Sequence, residues 1–167
     1  MESYSVTRVQ IERLVAEIEN ELAHLERIKT QVEGARSRFG DTEPNGFGTQ
    51  GIALVLHDFY NAAENIFKRV ALELGEGLPH GGDWHAVLLR NMTFRIPTLR
   101  PPVIRDETAS LLDEFRRFRH RVRHAYGFTL RWSTLRGLLA EFDEAYQSLV
   151  ADVHQFVAFL KVMAEED

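Results

Sequence analysis

The chain has 167 residues, 44% of them apolar and 27% charged, with a net charge of -5 and no cysteine. That length fits one domain with a sizeable core. The composition excludes a disulfide scaffold and thiolate metal sites, and the acidic balance argues against a general nucleic-acid coat.

The opening MESYSVTRVQIERL has neither a basic start nor an apolar core, so no signal peptide is expected. No apolar run approaches the roughly 20 residues that cross a bilayer. A soluble, cytoplasmic protein with no membrane partner is the expectation. Residues 6–33 place Ile11, Leu14, Ile18, Leu22, Leu25, Ile28 and Val32 at steps of three and four. This spacing predicts a long amphipathic helix. Glycines and Pro44 then predict a loop over 34–50. Helical spacing resumes over 51–74 with Ile52, Val55, Phe59, Ala63, Ile66, Val70 and Leu74. GEGLPHGGDWH ends that helix, and Asp83 is placed to cap a short helix across WHAVLLRNM. Three prolines in RIPTLRPPVIRDET predict a non-helical crossing. A helix over about 106–126 follows, with Gly127 at its C-terminal cap, and a last helix over about 134–164. No alternating strand pattern competes. The expected fold is all-α: one domain over 1–167, built as an up-and-down bundle. Its regions are a helix over 1–33, a loop over 34–50 and the rest of the bundle over 51–167. Phe59, Phe67, Phe142, Phe156 and Phe159 are expected to pack the core, not to line a cofactor pocket.

Charge is unevenly spread. Residues 115–136 hold seven arginines and no Asp or Glu, so this segment carries +7 in an acidic chain. Within it RHRVRHAY, residues 119–126, joins arginines, two histidines and a tyrosine. At about 100° per residue, Leu111, Phe115, Phe118, Val122 and Ala125 form the buried face. Arg119, Arg123 and Tyr126 fall on one flank, and His120 and His124 beyond it, so the polar groups sort into two exposed stripes. Arg119 and His124 are about 140° apart on a regular helix. They meet on one phosphate if the helix loosens near Gly127, or if two copies pool their side chains across a twofold axis.

These residue types suit RNA cleavage. The 2′-hydroxyl is the nucleophile, imidazole takes and gives protons near neutrality, and guanidinium stays charged on the phosphate. A metal bound by His120 and His124 is disfavoured by the surrounding arginines and the lack of a nearby carboxylate. No metal and no cofactor are expected. His57 and Asp58 form no catalytic triad, and Trp84–His85 reads as a packed tryptophan beside a satisfied histidine. GEGLPHGG lacks the Lys-Ser/Thr ending of a phosphate loop.

Arg119 and His124, with Tyr126 two residues on, resemble the Arg-x4-His-x-Tyr motif of HepT toxins within the HEPN ribonucleases. GIALVLHDFYNAAENIFKRVALEL, PHGGDWHAVLLRNM, RPPVI and FRRFRHRVRHAYGFTLRW resemble HepT-like proteins in order and spacing, over about residues 48–160. The resemblance implies a four- or five-helix HEPN bundle that forms a homodimer with the motif in an interfacial cleft. It implies a metal-independent endoribonuclease toxin acting on tRNA or mRNA. It also implies a partner antitoxin, a nucleotidyltransferase of the MNT type, that transfers AMP to Tyr126. By position, Arg119 binds the phosphate, His124 is the acid/base and His120 is a polar auxiliary. Arg116 and Arg123 are expected to contact the RNA backbone, and Arg121 faces solvent or a dimer partner. The alternative is a non-catalytic HEPN module that binds a nucleotide or a nucleotidyltransferase.

Overall fold

A computed structural model describes residues 6–124 and 130–166, without the side chains of Arg123 and His124. Five helices follow one another: α1 (Arg8–Phe39), α2 (Gly46–Glu73), α3 (Trp84–Asn91), α4 (Asp106–His124) and α5 (Trp132–Glu166). Among the described residues there is no strand, and Ile96 and Arg100 form an isolated bridge. The fold is an all-helical bundle.

Each long helix forms because its apolar residues recur on one stripe. Ile11, Leu14, Ile18, Leu25, Ile28 and Val32 of α1 are all buried, and Leu22 packs partly against them. Thr7 starts α1 with a capping box: its hydroxyl accepts from the Gln10 N–H, and the Gln10 side chain accepts from the Thr7 N–H. The stripe of α5 buries Leu135, Leu138, Phe142, Leu149, Val153, Phe156 and Leu160.

Ion pairs fix the helix directions. Glu17 faces Arg69 and His24 faces Asp58, so α1 and α2 run antiparallel. Glu19 meets Lys161 and Arg36 meets Asp143, so α1 and α5 do too. Asp152 accepts from Arg105 and Thr108 at the start of α4, while Phe115 and Phe142 both pack edge-on against Phe59. That makes α4 antiparallel to α5. Helix α2 packs against α4 and α5, and α1 and α4 sit on opposite corners without touching. Phe59, Phe67, Phe142 and Phe156 are buried, and Phe159 packs partly against the core.

The connection between α1 and α2 is much shorter than the loop expected over 34–50. Helix α1 runs through Gly34 to Phe39 because Arg36 docks on α5, donating to Asp143 and to the Leu139 carbonyl. Gly40, with φ +55°, ends it. Helix α2 begins at Gly46 because the Asn45 side chain accepts from the Gly48 N–H at 2.9 Å. A Cβ on Gly48 would lie 2.7 Å from Pro44 Cβ and 2.8 Å from the Phe39 ring, so the tight turn requires a glycine there. The glycines thus punctuate a turn and a helix start, not a long loop. Asp83 holds the N-cap position of α3, but its side chain makes no capping bond. Its backbone carbonyl accepts from Ala86 and Val87 instead.

The crossing between α3 and α4 is pinned by Arg100, whose side chain is fully buried. Its Nε and one terminal nitrogen bind both Glu76 oxygens at 2.7 Å, and the remaining donors reach the carbonyls of Asn91, Phe94 and Pro101. All five guanidinium donors are used. This clamp ties the end of α3 and the crossing to the segment that follows α2.

Candidate functional site

Helix α4 presents Arg116, Arg119 and His120 within one turn, and α3 packs beside them. With His85, Gly82 and Asp83 they line a cleft of about 230 Å³.

Arg119 departs from the expected exposed flank: it is buried, with 8% of its surface accessible. An ideal wheel of α4 alone places it beside the core face. The structure adds α3 on that flank, and α2 supplies polar partners beneath. Arg119 Nε donates to Asn61 Oδ1, and a terminal nitrogen lies 3.4 Å from Glu64 Oε1. Asn61 and Glu64 are three apart on α2, so both face α4 together. Asn61 Nδ2 also sits 3.1 Å from His57 Nδ1, so His57 steadies the amide that holds Arg119. Asp58 is bound to His24 at 3.0 Å and lies on the α1 side.

Glu64 is 1% exposed within the apolar stripe of α2. A buried carboxylate needs charged and hydrogen-bonded partners. Arg119 meets one oxygen, and His85 Nδ1 lies 2.8 Å from the other. The His85 ring stacks on Trp84 with centroids 3.7 Å apart. Sequence reasoning read Trp84–His85 as a packed tryptophan beside a satisfied histidine, as the stack and the Glu64 contact show, and passed over Asn61 and Glu64. The signal was present in NAAENIF, where a carboxylate interrupts an apolar helical stripe.

Beneath the cluster, Tyr60 is fully buried and its hydroxyl has no hydrogen-bond partner among the described residues. Burial first, then the Glu64 carboxylate, pushes its phenol well above the ordinary tyrosine range, and Arg116 and Arg119 offset part of this. Tyr60 is a neutral phenol across the physiological range.

Arg116 is half-buried at the cleft, and its Nε donates to Asp113 at 2.7 Å. Arg117 pairs with the other Asp113 oxygen at 2.8 Å and is exposed. His120 is exposed at the cleft, and Arg121 is exposed too. The backbone of Arg123 and His124 completes α4, so a regular helix extends to His124. Tyr126 and the expected cap Gly127 lie outside the described residues. The structure therefore joins Arg116, Arg119 and His120 in one cleft and adds His85.

A family model described as HepT-like protein matches residues 51–160. The chain belongs to the HepT-like family. Neither a curated protein sequence nor a solved structure matches the chain. The HepT-like match takes in α3, α4 and most of α2 and α5, with every residue of the cleft, and leaves α1 outside. Among the described residues, no helix of this HepT-like protein is long and apolar enough to cross a membrane.

Proposed function

We propose that the protein is a ribonuclease toxin whose residues 1–167 form a single domain. It cleaves RNA through Arg119 and His124 and is silenced by modification of Tyr126. The observation that carries this reading is the placement of Arg119. Asn61 and Glu64 fix its guanidinium at a cleft that Arg116 and His120 also line, five residues before His124. A guanidinium held in place before substrate arrives stabilises charge on a phosphate in transition without reorganising. His120 and Arg116 line the same cleft, as an auxiliary and a backbone contact respectively. Arg123, one turn on, adds a further backbone contact.

Helix α4 stays regular to His124, and its register keeps Arg119 and His124 about 140° apart. This supports pooling of the two motifs in a homodimer, where His124 of one copy faces Arg119 of the other. Substrate is tRNA or mRNA in the cytoplasm, and the chemistry calls on no cofactor. The partner is an MNT-type nucleotidyltransferase that places AMP on Tyr126. A bulky anion two residues beyond His124 blocks and neutralises the phosphate site.

One observation favours a second reading. Glu64 already sets a negative charge against Arg119, which weakens its pull on a phosphate. A non-catalytic module that binds a nucleotide or the nucleotidyltransferase partner tolerates that weakening better than a nuclease does.

The test is induced expression of wild type, His124→Ala and Tyr126→Phe in a bacterial host, following growth and RNA integrity. The proposal expects arrest with cut RNA for wild type and neither for His124→Ala. Tyr126→Phe, where toxic, is not rescued by a co-expressed MNT-type nucleotidyltransferase. Normal growth with intact RNA from soluble wild type sinks the nuclease and leaves the binding module.

A further inference from the structure

The cleft holds an imidazole that the Arg–His motif does not supply. His85 Nδ1 lies 2.8 Å from Glu64 Oε2. A carboxylate only accepts hydrogen bonds, so Nδ1 carries a proton, and in the neutral ring Nε2 is the nitrogen with the lone pair. A terminal nitrogen of Arg119 is 3.4 Å from the same Nδ1, and guanidinium only donates. The two contacts ask for opposite tautomers. The shorter, charge-assisted contact to the carboxylate decides, and the longer one is packing.

Trp84 fixes the plane of the ring, and Glu64, inside the core, fixes its rotation. The His85 side chain keeps 22% exposure and lines the cleft with Arg116, Arg119 and His120. Nε2 has no hydrogen bond among the described residues. Within one chain, the imidazole oriented at the Arg119 cleft by a buried carboxylate is His85.

We propose that His85, positioned by Glu64, is the general base of RNA cleavage, with His124 as the acid. This rests on the ribonuclease reading above. Nε2 takes the proton of the 2′-hydroxyl, and the 2′-oxygen forms a bond to phosphorus. The bond from phosphorus to the 5′-oxygen breaks, and that oxygen leaves with a proton from the His124 imidazolium. The products are a 2′,3′-cyclic phosphate and a 5′-hydroxyl. Glu64 is a positioning residue: it holds the tautomer and stabilises the imidazolium formed on His85.

The test separates base from acid. Wild-type protein is first given total bacterial tRNA, and the cut site is mapped. An oligonucleotide spanning that site is then made with sulfur in place of the bridging 5′-oxygen, a leaving group that needs no proton. On the oxygen substrate, His85→Asn and His124→Ala are each expected to lose about 10²–10⁴ in rate. The asparagine amide still donates to Glu64, which keeps the fold, and thermal melting checks this. Sulfur is expected to restore His124→Ala and not His85→Asn. Glu64→Gln is expected to lower kcat while KM stays level or falls, because the amide no longer opposes the pull of Arg119 on a phosphate. If His85→Asn melts early, His85→Gln is assayed below its own melting temperature. A folded His85 variant that cuts within threefold of wild type overturns the proposal while the ribonuclease reading stands. Rescue of the His85 variant by sulfur overturns it as well, since His85 would then be the acid. A wild type that cuts no RNA removes the ribonuclease reading itself, and this inference with it.

Discussion

Among the described residues two arginines are buried in this bundle, each against a glutamate, and they differ in what surrounds the pair. Arg100 spends all five donors on Glu76 and three carbonyls, and its side chain is sealed. Arg119 binds Asn61 and Glu64 but forms part of the wall of a cleft with two histidines and Arg116. Burial of an arginine does not by itself mark a site. Arg100 ties a proline-rich crossing to the end of α2, and its saturated fork leaves nothing for a ligand. Arg119 faces a concave surface lined by Arg116, His85, His120 and Asp83, where an oriented guanidinium can meet a phosphate.

The largest effect that sharpens this contrast is on chemistry. Arg119→Ala is expected to lower RNA cleavage by about 10²–10³, the scale of losing a preorganised donor to developing charge. Single-turnover cleavage of tRNA checks it, alongside a melt, because Glu64 loses its cationic partner. Arg100→Ala is expected to act on stability instead. Stranding the Glu76 carboxylate and three carbonyls costs about 3–5 kcal/mol, measured by urea unfolding. Cleavage per folded molecule should stay near wild type.

A smaller effect probes the floor beneath Arg119. The raised phenol of Tyr60 means that the unfolded chain ionises there near pH 10 while the folded chain stays protonated. The unfolded state then binds fewer protons, so stability falls as pH rises above that point. The slope from this one group is about 1.4 kcal/mol per pH unit. Its contribution is fully present below the unfolded pKa and is lost above it. Tyr60→Phe should flatten the decline between about pH 10 and 11 in denaturant titrations, and should not destabilise at pH 7, because the hydroxyl it removes has no partner. The smallest effect is expected at Arg121→Ala, on an exposed position of the same helix, within about 0.5 kcal/mol in stability and threefold in cleavage.

The helical bundle was legible because each long helix carries a continuous apolar stripe, as Ile11 through Val32 shows for α1. The loop over 34–50 was misjudged because glycine composition signals a turn but not its length. That length depends on the docking of Arg36 on α5 and on the cap from Asn45. The motif arginine was found from spacing and charge, but its burial was not. A wheel of one helix does not contain α3 or the polar pair Asn61 and Glu64 that reach it from α2. His85 was set aside because no local pattern joins residues 64, 85 and 119. Only the packing of three helices brings them together.

RNA cleavage at the Arg119 cleft is open to a direct test with purified protein. Wild type and His124→Ala, matched for folded concentration by circular dichroism, are incubated with tRNA and mRNA transcripts and the products resolved. Wild type is expected to yield defined fragments ending in a cyclic phosphate, and His124→Ala to lose at least about 100-fold. A folded wild type that binds RNA or a nucleotidyltransferase but leaves every transcript intact would contradict it.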